Sequence, residues 1–172
     1  MDYLWTPWRY SYVTASPTGT DAKGAPLDCL FCRVARAPED DEKNLVVLRA
    51  EKNFILLNRY PYNNGHAMIA PYAHVASLAE ADTQALEETM RLAQRLEKAL
   101  RSLYRPDGLN LGFNIGQSAG AGIAGHIHLH VLPRWFGDTS FMTTVGETRV
   151  LPEDLETTRR RLIEELAAGH PQ

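Results

Sequence analysis

The sequence is poor in cysteine, in excess positive charge and in long apolar runs, and each shortage excludes a class of protein. Only two cysteines occur in 172 residues, which excludes a disulfide-rich secreted scaffold. Eighteen basic and twenty-one acidic residues give a net charge of -3, so we expect no nucleic-acid polymer as a partner. No apolar run approaches the ~20 residues that span a bilayer, and residues 1–5 lack the pattern of a signal peptide. We therefore expect a cytoplasmic protein without a membrane partner.

What remains is the composition of one compact domain. The chain is 44% hydrophobic and 23% charged, which suits one sizeable core but not two ordinary domains. We expect residues 1–172 to form a single domain. Its parts would be an N-terminal extension and loop at 1–28, a core at 29–145 and a C-terminal helical segment at 146–172.

Short β-rich runs dominate the expected core. Residues 45–49 and 54–58 are separated by a turn-like break and predict a hairpin, and residues 67–70 predict a third strand. Residues 109–115 and 126–132 each alternate apolar and polar side chains, which predicts two further strands.

Two helices are predicted beside these strands. The first begins after Asp82, a favourable N-cap, and ends before Pro106 and Gly108. Its apolar residues recur at helical spacing: Leu86, Met90, Ala93, Leu96, Leu100 and Leu103. Pro152 opens a charged terminal helix. Strands flanking one long helix predict the α+β fold class.

Three of the six histidines lie on one alternating run, His126-Ile127-His128-Leu129-His130. Because strand side chains alternate, the three imidazoles share one face while Ile127 and Leu129 face the core. Packing alone does not explain such a row, since each buried imidazole needs partners for two polar nitrogens. The alternatives to a catalytic row are an exposed polar strand face and a three-histidine catalytic zinc site.

A glycine-rich stretch at 116–122 precedes the histidines. Glycine leaves backbone N–H groups bare, so such a loop can approach phosphate oxygens closely. Imidazole nitrogens beside a phosphate-binding loop favour phosphoryl chemistry over both alternatives.

These motifs resemble the histidine triad superfamily, nucleotide hydrolases and transferases related to galactose-1-phosphate uridylyltransferase. The resemblance extends from Cys29 to about Val145, and residues 4–9 are similar to the bacterial branch of diadenosine tetraphosphate phosphorylases and hydrolases. Besides the triad, it is carried by LNRYPYNNGH at 57–66, PYAH at 71–74, GLN at 108–110 and PRW at 133–135. It implies a HIT-like fold with a mostly antiparallel sheet, one long helix and a C-terminal helix.

The resemblance also implies roles for individual residues. In similar enzymes the middle histidine, here His128, attacks the α-phosphorus and carries the nucleotidyl group as a phosphoramidate. His130 would contact the phosphate or leaving group, and His66 of the Gly-His pair would lie close to the triad, although a turn-capping role is its alternative. The non-bridging oxygens would be held by Asn114 and by backbone N–H groups of Gly120, Ala121 and Gly122.

The nucleoside pocket implied by the resemblance falls on the second predicted strand. Asn58 would lie near the ribose hydroxyls, and Phe54 and Leu57 beside the base, although core packing explains these two apolar residues equally well. Arg134 would pair either with a distal phosphate or with a surface carboxylate. Trp135 is equally open.

The sequence departs from the family in the loop before the triad. Many members carry Ser, Thr or Gln four or five residues before it, whereas residues 121–123 are Ala-Gly-Ile. Gln117, Ser118 or backbone N–H groups would have to supply the missing donor. The leaving-group preference is therefore open.

The cysteines, Cys29 and Cys32, are spaced so that two thiolates can chelate one metal ion. The sequence has no second cysteine pair, so histidines would have to complete a four-ligand site. In similar proteins the other ligands are the histidines at the positions of His74 and His126, which implies a closed, structural Zn²⁺ site. A redox disulfide and an unliganded buried pair are the alternatives.

The resemblance implies an enzyme that cleaves dinucleoside polyphosphates such as diadenosine tetraphosphate, or related adenylylated nucleotides, with water or phosphate as acceptor. It also implies a homodimer that pairs through the long helix and a strand. Two other functions stay open. One is a nucleotide-binding regulatory protein with incidental turnover, and the other is a phosphohydrolase whose catalytic metal is held by the triad.

Overall fold

The computed structural model describes residues 29–139, 145–146 and 151–169. In chain order its elements are helix α1 (Leu30–Arg36), strands β1 (Val46–Arg49), β2 (Asn53–Leu57) and β3 (Ala67–Pro71), helix α2 (Thr83–Tyr104), strands β4 (Gly108–Phe113) and β5 (Leu129–Arg134), and helix α3 (Leu155–Ala168). Short 3-10 helices lie at Pro38–Asp40 and Gln117–Ala119. The α+β fold class is confirmed, whereas the loop expected at 1–28 lies outside the described residues. None of the described helices combines the length and the apolar character needed to cross a membrane.

The five strands form one sheet in the order β1-β2-β3-β5-β4, and every neighbouring pair is antiparallel. Strands β2 and β3 are buried along their whole length, while β4 lies at an edge and is mostly exposed. In β2, Ile55 and Leu57 join the core on one face, and Phe54 and Leu56 join the core on the other. The sheet is therefore covered on both faces, which explains why β2 is a continuous apolar run.

Helix α2 begins and ends close to the predicted residues. The carboxylate of Asp82 accepts a hydrogen bond from the backbone N–H of Gln84, which caps the first turn. Arg105 adopts a left-handed conformation with φ of 47° and ends the helix before Pro106. Gly108 does not belong to this terminus, because it is the first residue of β4.

The larger core lies between the sheet and helices α2 and α3. In α3, Leu162 and Leu166 pack into it. The buried positions of α2 are Ala85, Thr89, Leu92, Ala93, Leu96, Ala99 and Leu100. Met90 is 58% exposed, so the buried stripe passes through the preceding residue rather than through Met90 as the spacing predicted. The apolar period thus located the helix correctly but misplaced part of its buried face.

A smaller core lies on the opposite face of the sheet, under α1. The sequence does not predict this seven-residue helix, whose N-cap Cys29 makes no side-chain capping bond. Its residues Phe31 and Val34 pack against β2 and β3. Arg49 holds the other end of α1, because it donates to the carbonyl oxygen of Val34 at 2.7 Å and pairs with Asp41 at 2.6 Å. Helix α1 is therefore positioned by packing and by one arginine.

The histidine strand is shorter than predicted. Strand β5 spans Leu129–Arg134, so the first two histidines of the row precede it. There the Ile127 N–H donates to the carbonyl oxygen of Val75 at 2.7 Å instead of to a neighbouring strand. The alternation persists nevertheless: Ile127 is buried, and the His128 ring lies 4.7 Å from the ring of Phe31 on the α1 side of the sheet.

Candidate active site and metal cluster

A cavity of about 260 Å³ opens on the α1 side of the sheet beside the histidine row. Phe31 and Leu56 contribute to its apolar wall. Asn58, His128 and His130 contribute polar atoms. Gly120, Gly122 and Ile123 line it from the glycine-rich loop. An apolar wall with a few convergent polar groups is the common form of a small-molecule site.

His128 has a reactive atom that its surroundings define. Its side chain is 5% exposed, and its Nδ1–H donates to the carbonyl oxygen of His126 at 2.9 Å. Because Nδ1 carries the proton, the lone pair of the neutral ring lies on Nε2. Burial lowers the pKa of His128 below its ordinary value, which keeps the ring neutral at pH 7. The cavity is thus lined by a neutral imidazole with an unprotonated Nε2.

His66 and His130 form a hydrogen-bonded chain that fixes which of their nitrogens carry protons. The backbone N–H of Tyr62 donates to Nδ1 of His66 at 3.1 Å, so the proton of that neutral ring lies on Nε2. This Nε2–H donates to Nδ1 of His130 at 3.0 Å. His130 must then carry its own proton on Nε2. Burial, followed by the charge of His128, lowers the pKa of His130 to about 4, so the ring is neutral at pH 7.

His128 and His130 therefore differ at the same atom. Their rings lie 4.8 Å apart at an interplanar angle of 68°. At Nε2 the first offers a lone pair and the second offers an N–H. A nucleophile beside a hydrogen-bond donor is the pair of groups that displacement at phosphorus requires.

The other predicted nucleotide-binding residues divide into two groups. Asn58 lines the cavity, as do the glycines on either side of the buried Ala121. Leu57 also borders the cavity, but its side chain is 2% exposed and packs in the larger core on the opposite face of the sheet. Asn114 is partly buried, and it is not among the described residues that line the cavity. Phe54 is also placed elsewhere: it is 0% exposed and packs in the smaller core, with its ring 5.4 Å from that of Tyr72. Of the two explanations for Phe54, the structure therefore shows core packing.

Arg134 makes the surface ion pair rather than reaching into the cavity. Its Nε and Nη2 atoms donate to the two carboxylate oxygens of Asp138 at 2.6 and 2.9 Å. Asn63, from the loop that precedes His66, donates to the same carboxylate at 2.8 Å. The guanidinium lowers the pKa of Asp138 well below its ordinary value. Trp135 lies beside this pair and donates to a backbone carbonyl oxygen of α2 through Nε1 at 3.4 Å.

The four predicted metal ligands, Cys29, Cys32, His74 and His126, converge at one point, with their ligand atoms within 4.8 Å of one another. The Sγ atom of Cys29 lies 3.3 Å from Nδ1 of His126, and the two Nδ1 atoms lie 3.3 Å apart. A tetrahedral zinc ion with bonds of about 2.3 Å to sulfur and about 2.0 Å to nitrogen places two nitrogens about 3.3 Å apart and nitrogen and sulfur about 3.6 Å apart. The arrangement therefore suits a tetrahedral metal ion.

The imidazole of His126 is oriented toward this cluster by the backbone. Its Nε2–H donates to the carbonyl oxygen of Pro71 at 2.8 Å, which leaves Nδ1 unprotonated and directed at the two thiols. Burial lowers the pKa of His126 to about 4, so a proton does not compete for Nδ1 at pH 7. Because His126 faces the cysteines and His128 faces the cavity, the three triad histidines do not converge on one metal centre in the part of the chain that the structure describes.

Four cavity-lining residues with polar side-chain atoms were not singled out from the sequence: Asn44, Arg59, Tyr60 and Tyr62. Three of them lie in the LNRYPYNNGH segment that carried the resemblance, and this was the available signal. Asn44 lies in the turn before β1, and no motif marks it.

Comparison with known proteins gives one family. A model described as the HIT domain matches residues 39–137. An AP-4-A phosphorylase from Mycobacterium tuberculosis is 38% identical over 168 residues, which cover 97% of this chain and 85% of that protein.

Solved structures of the same family resemble the chain. A zinc-bound histidine triad family protein from Mycobacterium smegmatis has a TM-score of 0.67 and 29% identity, covering 83% of this chain and 95% of the other. A hypothetical histidine triad nucleotide-binding protein from Sulfolobus tokodaii has a TM-score of 0.66 and 27% identity, covering 81% and 93%. The predicted HIT-like fold is therefore confirmed.

Proposed function

The chain belongs to the HIT domain family, and on that premise we propose that it cleaves dinucleoside polyphosphates by transferring a nucleotidyl group to Nε2 of His128. It is a nucleotidyl hydrolase or transferase, as the family and the phosphorylase from Mycobacterium tuberculosis indicate. The name of that relative supplies the substrate class, of which diadenosine tetraphosphate is the example. The observation that carries the mechanism is the unprotonated Nε2 of a buried, neutral imidazole in the cavity.

In the first step, Nε2 of His128 attacks the α-phosphorus. An N–P bond forms, and the bond from phosphorus to the bridging oxygen of the leaving polyphosphate breaks. The Nε2–H of His130 donates to the departing oxygen and reduces its developing charge. The nucleotidylated ring is cationic, and the bond from its Nδ1–H to the carbonyl oxygen of His126 stabilises that charge.

In the second step, an acceptor attacks the same phosphorus and the N–P bond breaks, which returns the lone pair to Nε2 of His128. Water as acceptor makes the enzyme a hydrolase, and inorganic phosphate makes it a phosphorylase. Backbone N–H groups of residues 120–122 hold the non-bridging oxygens in both steps. Asn58 binds the ribose hydroxyls, and the apolar wall of Phe31 and Leu56 packs beside the base.

The cluster of Cys29, Cys32, His74 and His126 would hold one structural Zn²⁺ ion. This assignment is supported by the interatomic distances and by the two-thiolate, two-imidazole ligand set. Four protein ligands leave no open position, so zinc would stabilise the fold and tie α1 to the segment before β5. A cytoplasmic location would keep both thiols reduced and available as ligands.

A homodimer is supported by the exposed edge of the sheet. Strand β4 pairs on one side only among the described strands, and Leu111 of β4 is 43% exposed. Met90 of α2 is 58% exposed. Apolar side chains beside an unpaired strand edge favour association of two copies. Light scattering should give twice the chain mass for the wild type, and a lower mass for Leu111→Lys.

Intact-mass spectrometry tests the proposed function. Wild type and His128→Ala are mixed briefly with diadenosine tetraphosphate and quenched at alkaline pH, where a phosphoramidate survives. We expect the mass of one adenylyl group on the wild type alone, and product analysis with and without added phosphate then identifies the acceptor. Equal turnover by both proteins without an adduct would contradict the nucleophile, and immediate loss of turnover on chelation would support a catalytic metal instead. A regulatory protein would bind the nucleotide and form no adduct.

A further inference from the structure

Two tyrosines lie at the rim of the active-site cavity, on the loop between β2 and β3. Tyr60 is 76% exposed and Tyr62 is 38% exposed, and both line the cavity that contains His128 and His130. A single exposed aromatic ring is common on protein surfaces. Two exposed rings beside a proposed nucleophile form an apolar surface that a substrate can contact. The mechanism derived above uses neither ring.

The backbone of this loop is fixed by the site residues themselves. The Tyr60 N–H donates to Oδ1 of Asn58 at 2.9 Å, and the Tyr62 N–H donates to Nδ1 of His66 at 3.1 Å. The first contact orients the Asn58 amide, which is assigned to the ribose. The second begins the series of hydrogen bonds that runs through His66 to His130. The backbone that carries both rings is therefore held by residues of the site before a ligand binds.

The Tyr62 ring lies beside His130. The Tyr62 ring is 6.4 Å from the ring of His130 and inclined to it by only 22°, and His130 is the proposed donor to the departing oxygen. Phe31 and Leu56, the apolar wall of the cavity on the α1 side of the sheet, are 1% and 2% exposed. The cavity thus combines a buried apolar wall with an exposed aromatic rim. Arg59 is exposed and also lines the cavity, and its Nη2 donates to the carbonyl oxygen of Lys43 at 2.8 Å.

We propose that Tyr60 and Tyr62 form a stacking site for the second nucleobase, the one attached to the leaving polyphosphate. The inference rests on the proposed function, because a dinucleoside polyphosphate carries a base at each end. Stacking on an exposed ring accepts any base, since every base has a π face, and it leaves an open path for product release. The enzyme should therefore prefer two-base substrates over nucleoside polyphosphates of equal phosphate number.

The test compares kcat/KM for diadenosine tetraphosphate and for adenosine 5′-tetraphosphate, which lacks the second base. We expect the wild type to prefer the first substrate, and Tyr60→Ala to lower the ratio of the two values by about tenfold. Tyr60→Phe keeps the ring and should keep the ratio. Phe136→Ala is the matched control, because Phe136 is 93% exposed and is not among the described residues that line the cavity.

Several results would overturn the stacking site. These are a wild type without preference, an unchanged ratio in Tyr60→Ala, an equal loss in Tyr60→Phe, and a change of oligomeric mass in Tyr60→Ala, which would assign the ring to a contact between copies. Titration calorimetry of both ligands on His128→Ala, with and without Tyr60→Ala, measures the second base without turnover. A wild type that binds diadenosine tetraphosphate preferentially but neither forms an adduct nor turns it over would contradict the proposed function and retain the stacking site.

Discussion

The two ends of the histidine row use one kind of side chain in two opposite ways. His126 directs Nδ1 at two thiols and at His74, while His128, two residues later, lines an open cavity. The difference lies in which nitrogen is bonded to a backbone carbonyl: Nε2 of His126 donates to Pro71, and Nδ1 of His128 donates to His126. A carbonyl oxygen thus selects the tautomer, and the tautomer selects a metal ligand or a nucleophile.

His128→Ala should abolish catalysis and leave the metal cluster of Cys29, Cys32, His74 and His126 intact. Because no other group supplies the attacking nitrogen, we expect kcat to fall by at least ~10³-fold while bound zinc stays near one ion per chain. Steady-state kinetics and elemental analysis of the same preparation make the measurement. Loss of zinc together with activity would show that the two ends are not separable.

Cys32→Ala should affect the metal cluster before it affects catalysis. Removal of one thiolate is expected to abolish stoichiometric zinc binding and to cost about 4 kcal/mol of unfolding free energy at free zinc 1,000 times above Kd. Denaturant unfolding with and without a chelator measures this, and chelation of the wild type should reproduce the loss. Since the site is closed, turnover per folded molecule should decline only as the protein unfolds. An immediate loss of turnover in a folded, metal-free wild type would contradict a purely structural ion.

His66→Ala tests the hydrogen-bonded chain from His66 to His130. His66 acts through His130, and it is not among the described residues that line the cavity. Without the donor to Nδ1, the His130 proton is no longer fixed on Nε2, and we expect kcat to fall about 10- to 100-fold with KM nearly unchanged. His66→Gln keeps a donor and an acceptor and should restore part of the rate. In a His130→Ala background the substitution of His66 should cost nothing further, and an additive loss would refute the hydrogen-bonded chain.

The smallest expected effect is in the pH profile. Burial lowers the pKa of both His128 and His130, the latter to about 4, so the acid limb of kcat/KM should lie below the ordinary histidine pKa of about 6.5. The unfolded chain binds protons at the ordinary histidine pKa, so stability should fall as the pH drops from about 6.5 toward 4. Rate and unfolding measurements across this range check both, and a limb at the ordinary histidine value would indicate solvated rings.

Much of the fold could be predicted, because apolar residues recur over long segments or because capping residues and proline mark where an element begins and ends. The predicted strands are all found, and α2 is framed by Asp82 and Pro106. Helix α1 could not be predicted, because seven residues without a capping side chain are stabilised by the smaller core rather than by their own sequence. The start of β5 was misjudged because the bond from the Ile127 N–H to the Val75 carbonyl oxygen depends on a distant loop.

The candidate site was predictable where linked motifs carried it and not where it depends on packing. The four residues of the metal cluster lie together, and so do His66, His128 and His130. Phe54 could not be assigned, because in a strand buried on both faces alternation does not distinguish core from cavity. The partner of Arg134 is Asp138, four residues later, and only the turn between them makes that pair possible.

His126 contacts both the metal cluster and the nucleophile. Its imidazole faces the two cysteines, and its carbonyl oxygen accepts a hydrogen bond from Nδ1–H of His128. A tilt of the His128 ring on nucleotidylation would therefore reach the proposed metal site through one residue. Cobalt bound at that site would serve as an optical probe, and we expect its visible absorption to change when the covalent intermediate forms, without a label on the substrate.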